Sequence, residues 1–196
     1  MRKPRTPDIY HRLDDDWGTE LSELRESENT RRRQALPARF RTATTDEPLG
    51  DEGVYLFGPV GTGKTHRAAA WANQAIEAGL RVRWITVPAY LEDKRAAMSG
   101  APAPATAEEL ASCDVLVLDD LGTEKATEWA REVLFGLVNR AYEADVQLLV
   151  TSNRRLADLA SHLGDRIASR IAEICVPHEM CGPDRRLQAA RARGGR

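Results

Sequence analysis

Val54-Tyr55-Leu56-Phe57-Gly58-Pro59-Val60-Gly61-Thr62-Gly63-Lys64-Thr65 is the stretch on which the fold turns. Four strand-forming residues run straight into an eight-residue loop of the pattern G-x-x-x-x-G-K-[ST]. The residues that follow, 64–78, hold neither Pro nor Gly and repeat apolar positions at helical spacing. A strand, a glycine loop and a helix in that order form a phosphate cradle. The glycines let the chain curl until several N–H groups point inward, and the helix presents its positive end to the same anion. Gly58, Pro59, Val60, Gly61, Thr62, Gly63, Lys64 and Thr65 are therefore expected to bind the phosphates of ATP. Lys64 would reach the β and γ phosphates, and the Thr65 hydroxyl would ligate Mg²⁺. At average residue frequencies such a match arises by chance in only about 1% of chains of this length.

Outward from the loop, short apolar runs alternate with longer amphipathic ones. Strands are predicted at 54–57, 82–86, 115–118, 147–151 and 173–176, and helices at 64–78, 89–98, 107–112 and 128–142. In the last helix Ala130, Leu134 and Val138 flank Trp129, Val133, Leu137 and Ala141 in one broad apolar stripe, which places Trp129 in the core. The segment 99–106, with two prolines and a glycine, reads as a surface loop. Nearly continuous apolar strands are those of a sheet buried on both faces. The expected class is α/β, a P-loop NTPase with a five-stranded parallel sheet and helices on both faces.

The second half of the site is Asp114-Val115-Leu116-Val117-Leu118-Asp119-Asp120, a buried strand ending in two acids. Ligands of open α/β sheets bind at that carboxyl edge. Asp119 is the candidate Mg²⁺ partner, and Asp120 the group that orients or deprotonates the attacking water. Thr151-Ser152-Asn153 ends the fourth strand at the same edge, where Asn153 either hydrogen-bonds the γ-phosphate or serves as a turn residue before 156–163.

The remaining sequence bounds the setting. The chain has 196 residues, 42% hydrophobic and 30% charged, a composition that folds around one core. Its formal net charge of -2 gives no global pull toward nucleic acid. The basic residues are mostly Arg, clustered at Arg31-Arg32-Arg33 with Arg39 and Arg41, and at Arg185, Arg186, Arg191, Arg193 and Arg196. Each cluster is either a phosphate-contacting patch or a solvated surface. Residues 1–50 form an N-terminal extension with a charged helix at 21–34 and potential for partner binding, 51–180 the ATPase core, and 181–196 a basic tail. No run approaches a membrane span and no apolar signal segment leads the chain, so the cytoplasm is the expected address. Cys113, Cys175 and Cys181 lack a CxxC pair and are expected to pack rather than cross-link. Cys175, His178 and Cys181 read as packing residues too, not as metal ligands. His11 and His66 receive no role.

Taken together, residues from about 37 to 186 resemble the AAA+ ATPases of the DnaC-type helicase loaders, and equally the IstB-type transposase helpers. The matching pieces are Leu36-Pro37-Ala38-Arg39-Phe40, the phosphate loop, Leu116 to Gly122, Asn139-Arg140-Ala141-Tyr142, Thr151-Ser152-Asn153 and Leu163-Gly164-Asp165-Arg166-Ile167-Ala168-Ser169-Arg170. The resemblance implies that Asn153 senses the γ-phosphate. It implies that Arg170, with Arg166 as second candidate, is an arginine finger completing a neighbouring subunit's site, and that Arg186 is a second sensor arginine. Ala141 stands where the family pattern has an arginine, and Arg185 where it often has an aromatic residue. The implied function is ATP-driven loading of a replicative helicase onto single-stranded DNA by a homo-oligomer. The alternatives are assistance to a transposase and an ATP-gated scaffold with little turnover. The family's helical lid domain is expected to be short or absent.

Overall fold

The computed structural model describes residues 18–194. Five parallel strands form one sheet: β1 Gly53–Phe57, β2 Val82–Thr86, β3 Val115–Leu121, β4 Gln147–Ser152 and β5 Cys175–Glu179, in the spatial order β2-β3-β4-β1-β5. The order explains the burial. β4 is buried at every residue and β3 at all but one, whereas the edge strands β2 and β5 are largely half-buried or exposed.

The connection from β1 to β2 runs one way across the sheet and all later connections run the other. Right-handed crossovers therefore put the helix after β1 on one face and the others opposite. The first face carries α2 (Lys64–Glu77), whose Ala68, Ala69, Ala72, Ala75 and Ile76 pack on Leu56, Val115, Val117 and Leu149. The second carries α3 (Val87–Ala97), α4 (Ala107–Ala111), α5 (Glu128–Glu143), α6 (Leu156–Leu163) and α7 (Asp165–Ile174) over Tyr55, Leu116, Leu118, Leu148 and Val150. The stripe of α5 is buried as its spacing predicts, with Trp129 and Val133 half-buried at its margin. Ala141 is fully buried there, and an arginine in its place would have no room.

The small side chains of α2 let the segment 36–49, with a 3-10 turn at Ala38–Phe40, lie close beside it. Leu36 and Ala43 are buried on α2, and the backbone from Phe40 to Leu49 is tied down by α2 side chains. Asn73 donates to the carbonyls of Phe40 and Ala43 at 3.2 and 2.9 Å, Trp71 to that of Glu47 at 3.0 Å, and Gln74 accepts from Leu49 N–H at 2.8 Å. Before it, α1 (Gly18–Arg32) and the 3-10 turn Arg33–Ala35 meet the C-terminal end of α2. Arg25 and Arg32 donate to the carbonyls of Glu77 and Gly79 at 2.6 and 2.8 Å, while Arg33 pairs with Glu26 and Glu77 at 2.9 and 2.8 Å. The cations cap a helix end that carries partial negative charge. Arg32 and Arg33 thus tie α1 and the turn after it to the end of α2.

Several boundaries differ from those expected from the sequence, α1 among them, which spans 18–32 and not 21–34. Helix α3 begins two residues earlier than expected because Pro88 fits the first helical turn. Strand β3 runs on through both acids. Glu173 and Ile174 finish α7, so β5 begins at Cys175 and extends to Glu179. Cys113 and Cys175 are buried, but Cys181 is exposed rather than packed. Residues 1–17, with His11, and 195–196, with Arg196, lie outside the described part.

Candidate nucleotide site

The strand order sets the carboxyl ends of β1, β4 and β3 side by side, which gathers the phosphate loop, Asn153 and the two acids at one edge. The loop leaves β1 through Gly58 (φ 141) and turns at Gly61 (φ 82) and Gly63 (φ 98). A Cβ on Gly58 would lie 2.2 Å from the Met180 carbonyl oxygen, and one on Gly61 would lie 2.1 Å from the Asp184 carboxyl carbon. At both places the positive φ favours glycine. Thr62 is buried and donates its hydroxyl to the Pro59 carbonyl at 2.9 Å. Lys64, 6% exposed, donates its ammonium to the Gly58 and Pro59 carbonyls at 2.7 and 2.8 Å and so braces the curl.

Opposite the loop, β3 pairs with β4 from Leu118 opposite Val150 to Leu121 opposite Ser152, three steps against two. This bulge holds Asp119 and Asp120, the latter at φ 61. Asp119 thus points to the α2 side, where Val115 and Val117 also point, while Leu121 returns to the opposite core. Thr151, fully buried on β4, donates its hydroxyl to the Asp119 carboxylate at 2.7 Å and accepts the Asp120 N–H at 2.9 Å. Ser152 donates to the Leu121 carbonyl at 2.7 Å, stitching the two strand ends together.

Burial pushes the Asp119 carboxyl above the usual carboxylate range and the charge of Asp120 adds to that, against the Thr151 and Thr65 hydroxyls and Lys64, which pull it down. Burial likewise depresses Lys64, helped by Arg186 and opposed by Asp120 and Asp119. A buried carboxylate with a hydroxyl from Thr65 beside it is a hard-oxygen donor pair. It fits Mg²⁺, which takes one or two protein ligands and completes its shell with phosphate and water.

Between loop and acids lies a cavity of about 720 Å³, lined by Val60, Gly61, Gly63, Lys64, Thr65, Asp120, Asn153 and Arg186. All eight are site candidates from the sequence, whereas the candidates Gly58, Pro59, Thr62 and Asp119 are not among the lining residues. Arg39, Phe40, His66, Thr123 and Arg185 also line it. Sequence reasoning gave none of the five a role at the nucleotide, although Arg39 and Phe40 stand in the Leu-Pro-Ala-Arg-Phe motif. Thr151, the pivot of both acids, was missed as well.

The model of the IstB-like ATP binding protein family matches residues 43–178, a span from the segment on α2 to the end of β5. The chain belongs to that family. Across 117 residues this IstB-like protein is 31% identical to the chromosomal replication initiator protein DnaA of Aliarcobacter butzleri (strain RM4018). Across 116 residues it is 32% identical to an insertion sequence IS21 ATP-binding protein of Pseudomonas aeruginosa. Those matches take in 60% and 59% of this chain but 26% and 43% of the relatives, so it spans less than half the length of either. The crystal structure of the DnaC helicase loader superposes with a TM-score of 0.64 at 24% identity, over 74% of this chain and all of that one. The fold is thus that of the P-loop AAA+ ATPases.

Arg166 and Arg170 of this IstB-like chain do not line the cavity. They lie on α7, one turn apart, each over a ring of α5: Arg166 Cζ 3.9 Å from the Phe135 centroid and Arg170 Cζ 4.2 Å from that of Tyr142. Arg170 also pairs with Glu173 at 3.3 Å, and Tyr142 donates its hydroxyl to the same carboxylate at 2.7 Å. No helix among the described residues is long and apolar enough to cross a membrane.

Proposed function

We propose that this chain is a Mg²⁺-dependent ATPase that assembles with copies of itself on DNA and delivers a replicative helicase to single-stranded DNA. The observation that carries the ATPase reading is the cavity. Arg39, Lys64, Arg185 and Arg186 face a single lining carboxylate, Asp120, beside a curled glycine loop, a charge balance suited to a triphosphate.

The loop amides and Lys64 hold the phosphates. Thr65 and Asp119 would hold Mg²⁺, which supplies countercharge to the phosphate oxygens. Asp120 accepts a proton from the attacking water, whose oxygen forms the new bond to the γ-phosphorus as ADP leaves. Asn153 positions the γ-phosphate or that water, and Phe40 with Arg39 stacked 4.8 Å from its ring offers a wall for the base. Arg170 lies outside its own subunit's cavity, which suits a group donated to a neighbour.

A second reading, delivery of a transposase, draws support from the IS21 relative. Steady-state phosphate release that rises faster than linearly with protein concentration, and further with single-stranded DNA, supports the first reading. A linear, DNA-indifferent rate would defeat it, and capture of transposase rather than helicase by the Lys64→Ala chain would select the second.

A further inference from the structure

Helix α8 (Arg185–Gly194) starts against the phosphate loop and not away from it. The Arg185 N–H donates to the Gly61 carbonyl at 3.0 Å. Asp184 caps the helix by accepting from the N–H groups of Arg186 and Leu187 at 2.8 and 3.4 Å, with its carboxyl group packed on Gly61. These bonds fix the backbone of Arg185 beside the loop. Its guanidinium lies over Gly63, with one terminal nitrogen 3.2 Å from where a Cβ on that glycine would stand. Both Arg185 and Arg186 line the cavity, and among the described residues neither has an ion-pair partner.

We propose that Arg185 is a phosphate ligand in its own right, an arginine additional to Arg186 that contacts the β-phosphate. Gly63 belongs to the part of such a loop whose amides cradle the α and β phosphates, so a guanidinium anchored above it meets that section of the nucleotide. The planar fork makes two parallel bonds to phosphate oxygens, which an aromatic residue at this position could not do. The inference rests on the reading of the cavity as a nucleotide site and adds to it a contact shared by ATP and ADP.

Calorimetric titration of ATP and of ADP, at millimolar Mg²⁺, into wild type, Arg185→Ala, Arg185→Lys and Arg186→Ala tests it. Arg185→Ala should weaken both nucleotides by the same factor, about ten- to a hundredfold, the range for losing a charge-assisted bond. Arg185→Lys should recover part of that loss. Arg186→Ala should penalise ATP more than ADP. Unchanged affinities in Arg185→Ala would overturn the inference, as would a loss confined to ATP, since Arg185 would then act only by placing Arg186. A wild-type chain that takes up neither nucleotide would defeat the reading of the cavity itself, and this inference with it.

Discussion

Thr151 on β4 donates its hydroxyl to the Asp119 carboxylate on β3 at 2.7 Å, so the acid expected to hold the metal is positioned by the neighbouring strand. The same hydroxyl accepts the Asp120 N–H, which makes one buried oxygen the hinge of both acids. Thr151→Val keeps the shape but takes one hydrogen bond from the buried Asp119 carboxylate and another from the part-buried Asp120 N–H. It should cost about 1–3 kcal/mol in urea unfolding, whereas Thr151→Ser should cost far less. Equal stability of Thr151→Val and wild type would contradict this role.

The raised pKa of Asp119 carries a pH signature. The folded state holds the Asp119 proton more tightly than the unfolded chain, so the stabilising contribution is complete below the unfolded carboxylate pKa of about 3.9 and is lost as pH rises through the folded value. Asp119→Asn should therefore raise the Tm of the free protein at neutral pH, and the gain should vanish in acid. A Tm difference independent of pH would exclude a charge effect.

Gly58 and Gly61 should differ in tolerance. Each sits at a φ that costs an L-residue roughly 1–2 kcal/mol. An added methyl at Gly61 meets the Asp184 side chain, which can swing away, whereas one at Gly58 meets the Met180 backbone. Gly58→Ala should lose clearly more stability than Gly61→Ala in chemical denaturation, and Gly61→Ala should chiefly loosen α8.

The phosphate loop was legible because its chemistry is local: the glycines, Lys64 and Thr65 act within eight residues of one another. Asp119 and Asp120 were legible because four apolar residues lead straight into them. Thr151 was not, since its meaning depends on a bulge that sets β3 one residue out of step with β4. Arg39 and Phe40 reach the site only because Trp71, Asn73 and Gln74 pin the following segment to α2, contacts some thirty residues apart in sequence. The Arg31-Arg32-Arg33 run left two readings open because charge alone does not show that Arg32 and Arg33 are engaged at the end of α2. The start of β5 was misplaced because Glu173 and Ile174 suit a helix end and a strand start equally well.

Donation of Arg170 in trans is open to complementation. Lys64→Ala and Arg170→Ala should each release phosphate poorly alone. Mixed, an intact cavity in one chain would meet an intact Arg170 from the other, and activity should exceed the sum of the separate rates. Strict additivity in steady-state assays would contradict an intersubunit arginine.

The most direct measurement is calorimetric titration of ATP into the folded chain at millimolar Mg²⁺, alongside Lys64→Ala. Saturable uptake by the wild type that is lost or greatly weakened in Lys64→Ala, with unchanged circular dichroism, is the result expected from a cavity built for a triphosphate. No uptake by well-folded wild-type protein would contradict it.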